Sequence, residues 1–329
     1  TSLKNLIKDL LKNYGEPYGS PKSYNNQFGV PISLSQLELK HKFGVFEIGM
    51  SKPGEINFLS RIIRPHIGII TNIGEAHIEN FKNLKGIANA KGEIINNIEE
   101  RGTIILNRDD KFFKYLKDKA EIKKLKKISF DMRKNSDVFP LAISQNKQNV
   151  KLSINDQILN LKFKNLNIYN ILASVALLRE LNLDIKKITT YFKNYEPSDG
   201  RGKIHNIKRY NKNFKLVDES YNANPISVKN AVKNFVNIRK QKFKKYFLLG
   251  DMLELGKKSK KLHQDISKVI NNSDIDKVFI KGSSTINTYK NIHKSKRGNI
   301  FQLDEDIDFT LKDIIANNDF LMIKGSNAT

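Results

Sequence analysis

Short apolar runs rich in β-branched and aromatic residues alternate with segments of helical period along most of this chain, and few architectures accept that alternation. Runs at residues 43–48, 67–73 and 103–106 have the length and composition of buried strands. Between them, residues 54–63 read as a helix stopped by Pro65, and residues 84–98 as a second helix. This is the βαβ rhythm of a mostly parallel sheet covered by helices on both faces. At the head of the chain Leu3, Leu6, Ile7, Leu10 and Leu11 share one face of an amphipathic helix. Residues 150–163 instead alternate apolar and polar about Asn155-Asp156, the pattern of a β-hairpin, and residues 168–183 and 185–195 read as a helical pair. The turn-rich stretch Glu196-Pro197-Ser198-Asp199-Gly200 marks a domain boundary, dividing residues 1–196 from 197–329. Beyond it the rhythm restarts, with strands near 214–217, 246–249, 277–280 and 320–323 and helices after Pro225, Ser259, Ser283 and Asp304. The fold class expected is α/β: a central domain with a mostly parallel sheet, followed by a smaller Rossmann-like α/β domain. No internal repeat is visible.

Composition sets outer bounds. With 39% hydrophobic residues the chain has enough apolar surface for ordinary cores, and no apolar run is long enough to cross a membrane as a helix. The absence of cysteine excludes a disulfide framework and a thiolate metal site, which fits a cytoplasmic protein. The net charge of +24, from 58 Lys+Arg against 34 Asp+Glu, raises the question of a polyanionic partner. The lysines are scattered among Asn and Ile in every segment and do not gather on one helix or tail, so the favoured reading is a compositional bias with no nucleic-acid partner. A basic nucleic-acid-binding protein is the alternative from another class.

In open parallel sheets ligands sit beyond the carboxyl ends of the strands, and several polar residues fall there. Glu47 ends the first run, Asn72, Glu75 and His77 follow the second, and Asp218-Glu219-Ser220-Tyr221-Asn222-Ala223-Asn224-Pro225 joins an apolar strand to a helix. Glu47 and His77 are open to two readings: ligands of a hard cation such as Mg²⁺, or a solvated charge and a helix-cap residue. Lys91, among small residues in Ala88-Asn89-Ala90-Lys91-Gly92-Glu93-Ile94, is either one more surface lysine or a desolvated amine able to act as a base or carry a carbamate. Gly200-Arg201-Gly202 is either a basic turn or an Arg fork placed where the backbone can approach a phosphate.

Taken in order, these pieces resemble the Mur ligases, the ATP-dependent amide-forming family of peptidoglycan synthesis. The resemblance rests on Asn25-Asn26-Gln27-Phe28-Gly29-Val30-Pro31, Glu47-Ile48-Gly49-Met50 followed by Gly54-Glu55-Ile56, and Thr71-Asn72-Ile73-Gly74-Glu75-Ala76-His77. It continues with Ala90-Lys91-Gly92-Glu93-Ile94, Gly200-Arg201-Gly202, Glu219 to Pro225, Leu249-Gly250-Asp251-Met252-Leu253-Glu254-Leu255-Gly256 and Lys324-Gly325-Ser326. Within the family, the segment from Asn25 and the Tyr221-Asn222-Ala223-Asn224-Pro225 string are similar to the branch that joins D-alanyl-D-alanine to UDP-N-acetylmuramoyl-tripeptide. Another Mur ligase or a folylpolyglutamate synthetase is the nearest alternative.

The resemblance implies roles by position. ATP and Mg²⁺ are the expected cofactors, and residues 1–196 become the ATPase domain. Thr1 matches the hydroxyl residue that closes the family's phosphate loop and would ligate Mg²⁺ with Glu47 and His77. Lys91 matches the lysine that is carbamylated in the family. Arg201 would contact ATP phosphates, Glu219 and Asn72 would lie near the nucleotide, and Asn170 near the adenine. Asn25, Asn26, Tyr221, Asn222 and Asn224 are candidate substrate contacts, and Leu166 departs from the family's usual His. The chain opens Thr1-Ser2 with no methionine, so the expectation is a piece of a longer monomeric enzyme, inactive without the residues ahead of Thr1.

Overall fold

The computed structural model describes residues 1–144, 149–154, 157–162, 167–189, 191–238 and 243–326. The expected hairpin tip at Asn155-Asp156 and the departure at Leu166 lie outside them. The chain divides into two compact units, residues 1–73 with 80–195, and residues 74–79 with 196–329. The α/β class is as expected.

In the first unit a parallel sheet is built from Ile67–Ile70, Thr103–Asn107 and Lys126–Phe130. Its central strand, Thr-Ile-Ile-Leu-Asn, is buried at every position, as a parallel strand covered on both faces must be. Ile168–Glu180 supplies much of that cover: Ile171 through Leu178 are all buried, so this helix is apolar around most of its circumference. Each such aliphatic side chain contributes about 1.5–3 kcal/mol by leaving water. The apolar face of Ser2–Leu11 joins the same core through Leu6, Ile7, Leu10 and Leu11. A three-stranded antiparallel sheet, Pro140–Ile143 with Asn149–Ile154 and Gln157–Lys162, follows.

Two expected elements are shorter than their apolar runs. Only Phe43–Val45 pairs, in parallel with Pro17–Gly19. Past Val45 the chain leaves the ladder, and the Gly49 amide donates to the Asn25 carbonyl at 2.8 Å instead. The helix expected over 84–98 is α-helical only through Leu84–Gly92 and tightens to a 3₁₀ turn over Glu93–Asn97. There the Glu93 carboxylate accepts the amides of Gly54 (2.8 Å) and Asn57 (3.0 Å) at the start of helix Glu55–Ile63, where unsatisfied N–H groups favour an anion.

The second unit is a six-stranded sheet in the order Arg297–Phe301, Lys277–Lys281, Lys245–Gly250, Phe320–Lys324, Lys212–Asp218, Lys203–Arg209. The first five are parallel; the last is an antiparallel edge. Phe214, Tyr246, Leu248, Phe279, Phe301 and Leu321 form a core on one face of this sheet with Leu311 and Ile315. The edge strand Lys203–Arg209 escapes a pattern reading because it is polar, with no position fully buried.

Candidate active site

Three constellations hold the candidate residues, each within one unit. In the first unit, the loop after Pro17–Gly19 meets the end of the run through Glu47. Asn25 Nδ2 donates to Glu47 Oε1 at 3.1 Å, and the Thr1 nitrogen stands 2.9 Å from Glu47 Oε2. Thr1 Oγ1 and Ser23 Oγ are 2.7 Å apart. Gly49 makes the approach possible, since a Cβ there would lie 2.9 Å from Asn25 Cγ. Burial raises the Glu47 carboxyl, and the Thr1 hydroxyl and the Asn25 amide act in the opposite direction. Asn26 does different work: its Oδ1 accepts the amides of Phe28 (3.2 Å) and Gly29 (2.8 Å), shaping the entry to helix Gly29–Ser35.

The second constellation joins Asn72 and Lys91. Lys91 Nζ donates to the Asn72 carbonyl at 2.9 Å. Burial lowers the Lys91 amine below the usual lysine value, and the Asp110 carboxylate opposes that shift without cancelling it. Asp110 is itself fixed, accepting the Ile73 amide at 2.7 Å and the Phe112 amide at 2.8 Å. Burial thus eases loss of the Lys91 proton, while the Asn72 carbonyl fixes the position of the amine. Asn170 sits in the first turn of Ile168–Glu180, its carbonyl accepting Ser174 Oγ at 2.8 Å; the neighbouring Tyr169 hydroxyl donates to Asp109 Oδ2 at 3.0 Å.

The third constellation belongs to the second unit and gathers Arg201, Glu219, Tyr221 and Asn222. Asp218 organises the backbone: its Oδ2 accepts the Gly200 amide (2.7 Å), its Oδ1 the Ser220 amide (3.1 Å) and hydroxyl (2.6 Å), and its carbonyl the Gly202 amide (2.7 Å). Both glycines are required. Gly200 has φ +72 and a Cβ would stand 2.8 Å from Tyr221 Cβ, while Gly202 has φ +94 and faces Glu219 Oε1 at 3.1 Å. The Arg201 guanidinium lies over the Tyr221 ring, 4.0 Å from its centre. Burial raises the Glu219 carboxyl above the usual value despite the opposing Lys324 and Arg201. Lys324, only 2% exposed, reaches this turn from the next strand.

Asn224 caps helix Pro225–Val236: its Oδ1 accepts the Ser227 amide at 2.9 Å while Ser227 Oγ accepts the Asn224 amide at 3.0 Å. Asn222 Oδ1 accepts the adjoining Ala223 amide at 2.7 Å. His77, at φ +56, belongs with the second unit, where its Nδ1 stands 2.5 Å from Glu254 Oε2. The Glu254 loop is anchored by Asp251, which accepts the amides of Thr285 (2.8 Å) and Ser284 (3.2 Å), and by buried His263, whose Nε2 accepts the Met252 amide at 3.1 Å. The motifs do not single out Glu254 or Lys324; Glu254 lies in the loop after Lys245–Gly250, and Lys324 ends Phe320–Lys324.

Among the described residues no group of three or more His, Asp or Glu side chains forms a ready metal cage. Mg²⁺ does not require one, because it keeps waters and takes one or two carboxylates together with substrate phosphates. The hydroxyl of Thr1 and the carboxylate of Glu47, side by side with hard oxygen donors, fit that pattern.

An α/β unit with a desolvated lysine beside a strand-end loop, followed by a second α/β unit with a glycine-flanked arginine on an acidic turn, matches known proteins from end to end. Residues 1–178 match the Mur ligase middle domain and residues 203–327 the Mur ligase, glutamate ligase domain. The chain belongs to the Mur ligase family. It is 32% identical over 329 residues, 98% of its length, to the UDP-N-acetylmuramoyl-tripeptide--D-alanyl-D-alanine ligase of Buchnera aphidicola subsp. Baizongia pistaciae, and spans 69% of that protein. It is 28% identical over 99% of its length to the ligase of the same name from Rickettsia prowazekii, spanning 73% of it. The crystal structure of MurF from Acinetobacter baumannii superposes with a TM-score of 0.89 at 25% identity, covering 100% of this chain and 72% of that one. The MurF ligase of Thermotoga maritima in complex with ADP superposes with a TM-score of 0.85 over 99% of this chain and 74% of that one; at 22% identity it speaks to the fold alone.

Proposed function

We propose that this chain acts in an ATP-dependent amide ligase that joins D-alanyl-D-alanine to UDP-N-acetylmuramoyl-tripeptide in cytoplasmic peptidoglycan synthesis, with residues 1–196 as its ATP-binding domain and 197–329 as its C-terminal domain. The observation that carries this reading is the match, at 32% identity over 98% of the chain, to a ligase named for that reaction. A carboxylate is a poor acyl donor, so the γ-phosphoryl group of ATP passes to the tripeptide carboxylate and ADP leaves. The dipeptide amine then adds to the acyl carbon, and the tetrahedral intermediate collapses with loss of phosphate. Negative charge gathers at every stage and must be offset in a site that excludes water.

The residues of the three constellations suit those demands. Arg201, flanked by glycines and braced on Tyr221, presents a planar guanidinium that pairs with phosphate oxygens. Lys91, with its lowered amine value, is the proposed carbamate carrier. Thr1 and Glu47 would hold Mg²⁺, and His77 keeps its proposed metal role on its family motif alone. Mg²⁺, when bound, neutralises charge on the phosphoryl oxygens. Glu219 and Asn72 are proposed near the nucleotide, and Asn170 near its adenine. Asn25, Asn26, Tyr221, Asn222 and Asn224 are the proposed substrate contacts, and the side-chain oxygens of Asn26, Asn222 and Asn224 each accept a backbone amide as well.

The test is phosphate release by the full-length protein. Turnover should require ATP, Mg²⁺, UDP-N-acetylmuramoyl-tripeptide and D-alanyl-D-alanine together. A protein that prefers a single amino acid to the dipeptide belongs to another branch of the family, and the proposal fails.

A further inference from the structure

Lys324 ends the strand Phe320–Lys324, which is inserted between Lys212–Asp218 and Lys245–Gly250 in the middle of the sheet. It points no charge into solvent. Its ammonium reaches the Asn222 carbonyl at 2.9 Å, the Glu219 carbonyl at 3.3 Å and Glu219 Oε2 at 3.4 Å. Three N–H donors thus meet three acceptors, all on one turn. A buried ammonium is expensive unless its donors are satisfied and a counter-charge is near, and Lys324 has both.

The turn it grips carries the second unit's candidate contacts. Glu219 Oε2 faces Lys324, and Glu219 Oε1 lies where a Cβ on Gly202 would approach within 3.1 Å, so the carboxylate is wedged between the lysine and the backbone beside Arg201. Tyr221, whose ring carries Arg201, stands between the two residues whose carbonyls Lys324 holds. A second anchor fixes the turn's entry through the Glu219 amide, which donates to the Ile323 carbonyl at 3.0 Å. Lys324 also holds the Asn222 carbonyl, at the turn's exit.

We propose that Lys324 is a positioning residue for nucleotide binding: its ammonium clamps the Glu219–Asn222 backbone so that Tyr221 holds Arg201 toward the phosphates. This rests on the ligase reading above for the identity of the ligand, while the clamp itself does not. Lys324 touches neither nucleotide nor reacting atoms in this scheme; it acts through the turn.

The experiment uses the full-length protein with Lys324→Met, Lys324→Arg, Glu219→Gln, and the double variant Lys324→Met/Glu219→Gln. The double variant removes the uncompensated carboxylate left by Lys324→Met alone and so guards against simple unfolding. In that double variant, hydrogen exchange at the Gly202 and Tyr221 amides should accelerate at least tenfold while exchange in the strand Lys277–Lys281 stays unchanged. The KM for ATP should be at least tenfold higher in the double variant than in Glu219→Gln alone, and Lys324→Arg should recover part of the loss seen in Lys324→Met. Wild-type exchange at both amides in a folded double variant overturns the clamp whatever the reaction is. Accelerated exchange with an unchanged KM for ATP overturns the positioning role. Absence of dipeptide-dependent turnover in the unmodified protein strikes the ligase reading, and the exchange measurement still decides the clamp.

Discussion

The Arg201 guanidinium lies over the ring of Tyr221, 4.0 Å from its centre, on a turn that two left-handed glycines hold open. The stacking orients the arginine, because a ring face attracts a cation held against it. Arg201→Ala should lower the rate of phosphate release at least tenfold, since a charge-assisted contact to phosphate contributes about 1.5–3 kcal/mol. Tyr221→Ala should produce a smaller loss in the same step, as it frees the arginine without removing it. An Arg201→Ala protein with an undiminished rate and a lowered Tm would show that the arginine only supports the fold.

Lys91 should be needed as an amine that can become an anion. Lys91→Ala is expected to abolish ligation, with partial recovery when a short carboxylic acid is added, and near wild-type ligation by the variant would sink the carbamate. Stability offers an independent check. The folded-state amine titrates below the unfolded one, so between those two values the folded protein binds fewer protons and stability rises with pH. Lys91→Met should flatten that alkaline slope in denaturant titrations run at several pH values.

Asn224 separates a cap from a ligand contact. Its side chain and that of Ser227 satisfy each other's backbone amides at the start of Pro225–Val236, and removing such a cap costs about 0.5–2 kcal/mol. Asn224→Ala should therefore lower the unfolding free energy by that amount and change KM values little, whereas Asn224→Ser should recover most of the stability. A large rise in KM with unaltered stability would restore a direct substrate role.

Gly282 has φ +113, and a Cβ there would stand 2.5 Å from Asp251 Cγ. The substitution Gly282→Ala thus meets both backbone strain and a carboxylate committed to the Ser284 and Thr285 amides. We expect a loss of at least about 1–3 kcal/mol from the strained conformation, measured by chemical denaturation. An alanine variant as stable as the wild type would mean that this loop yields easily.

Local periodicity sufficed for the elements whose burial is set by their own residues. The strand Thr103–Asn107 and the helix Ile168–Glu180 are apolar enough to announce themselves, and Asn224-Pro225 signals a helix start through cap chemistry that acts within four residues. The motif residues Arg201, Glu219 and Tyr221 were also visible in sequence, because they lie within one turn and its neighbouring glycines. Tertiary structure alone decided the rest. The polar edge strand Lys203–Arg209 exists because Lys212–Asp218 offers it a ladder, and His77 meets Glu254 across a sequence separation that no local pattern encodes. Among 58 lysines and arginines nothing in the sequence distinguishes Lys324 as buried. It becomes so when Phe320–Lys324 inserts between two strands far earlier in the chain, and that pairing, fixed by packing rather than by local propensity, delivers its charge to Glu219 and Asn222.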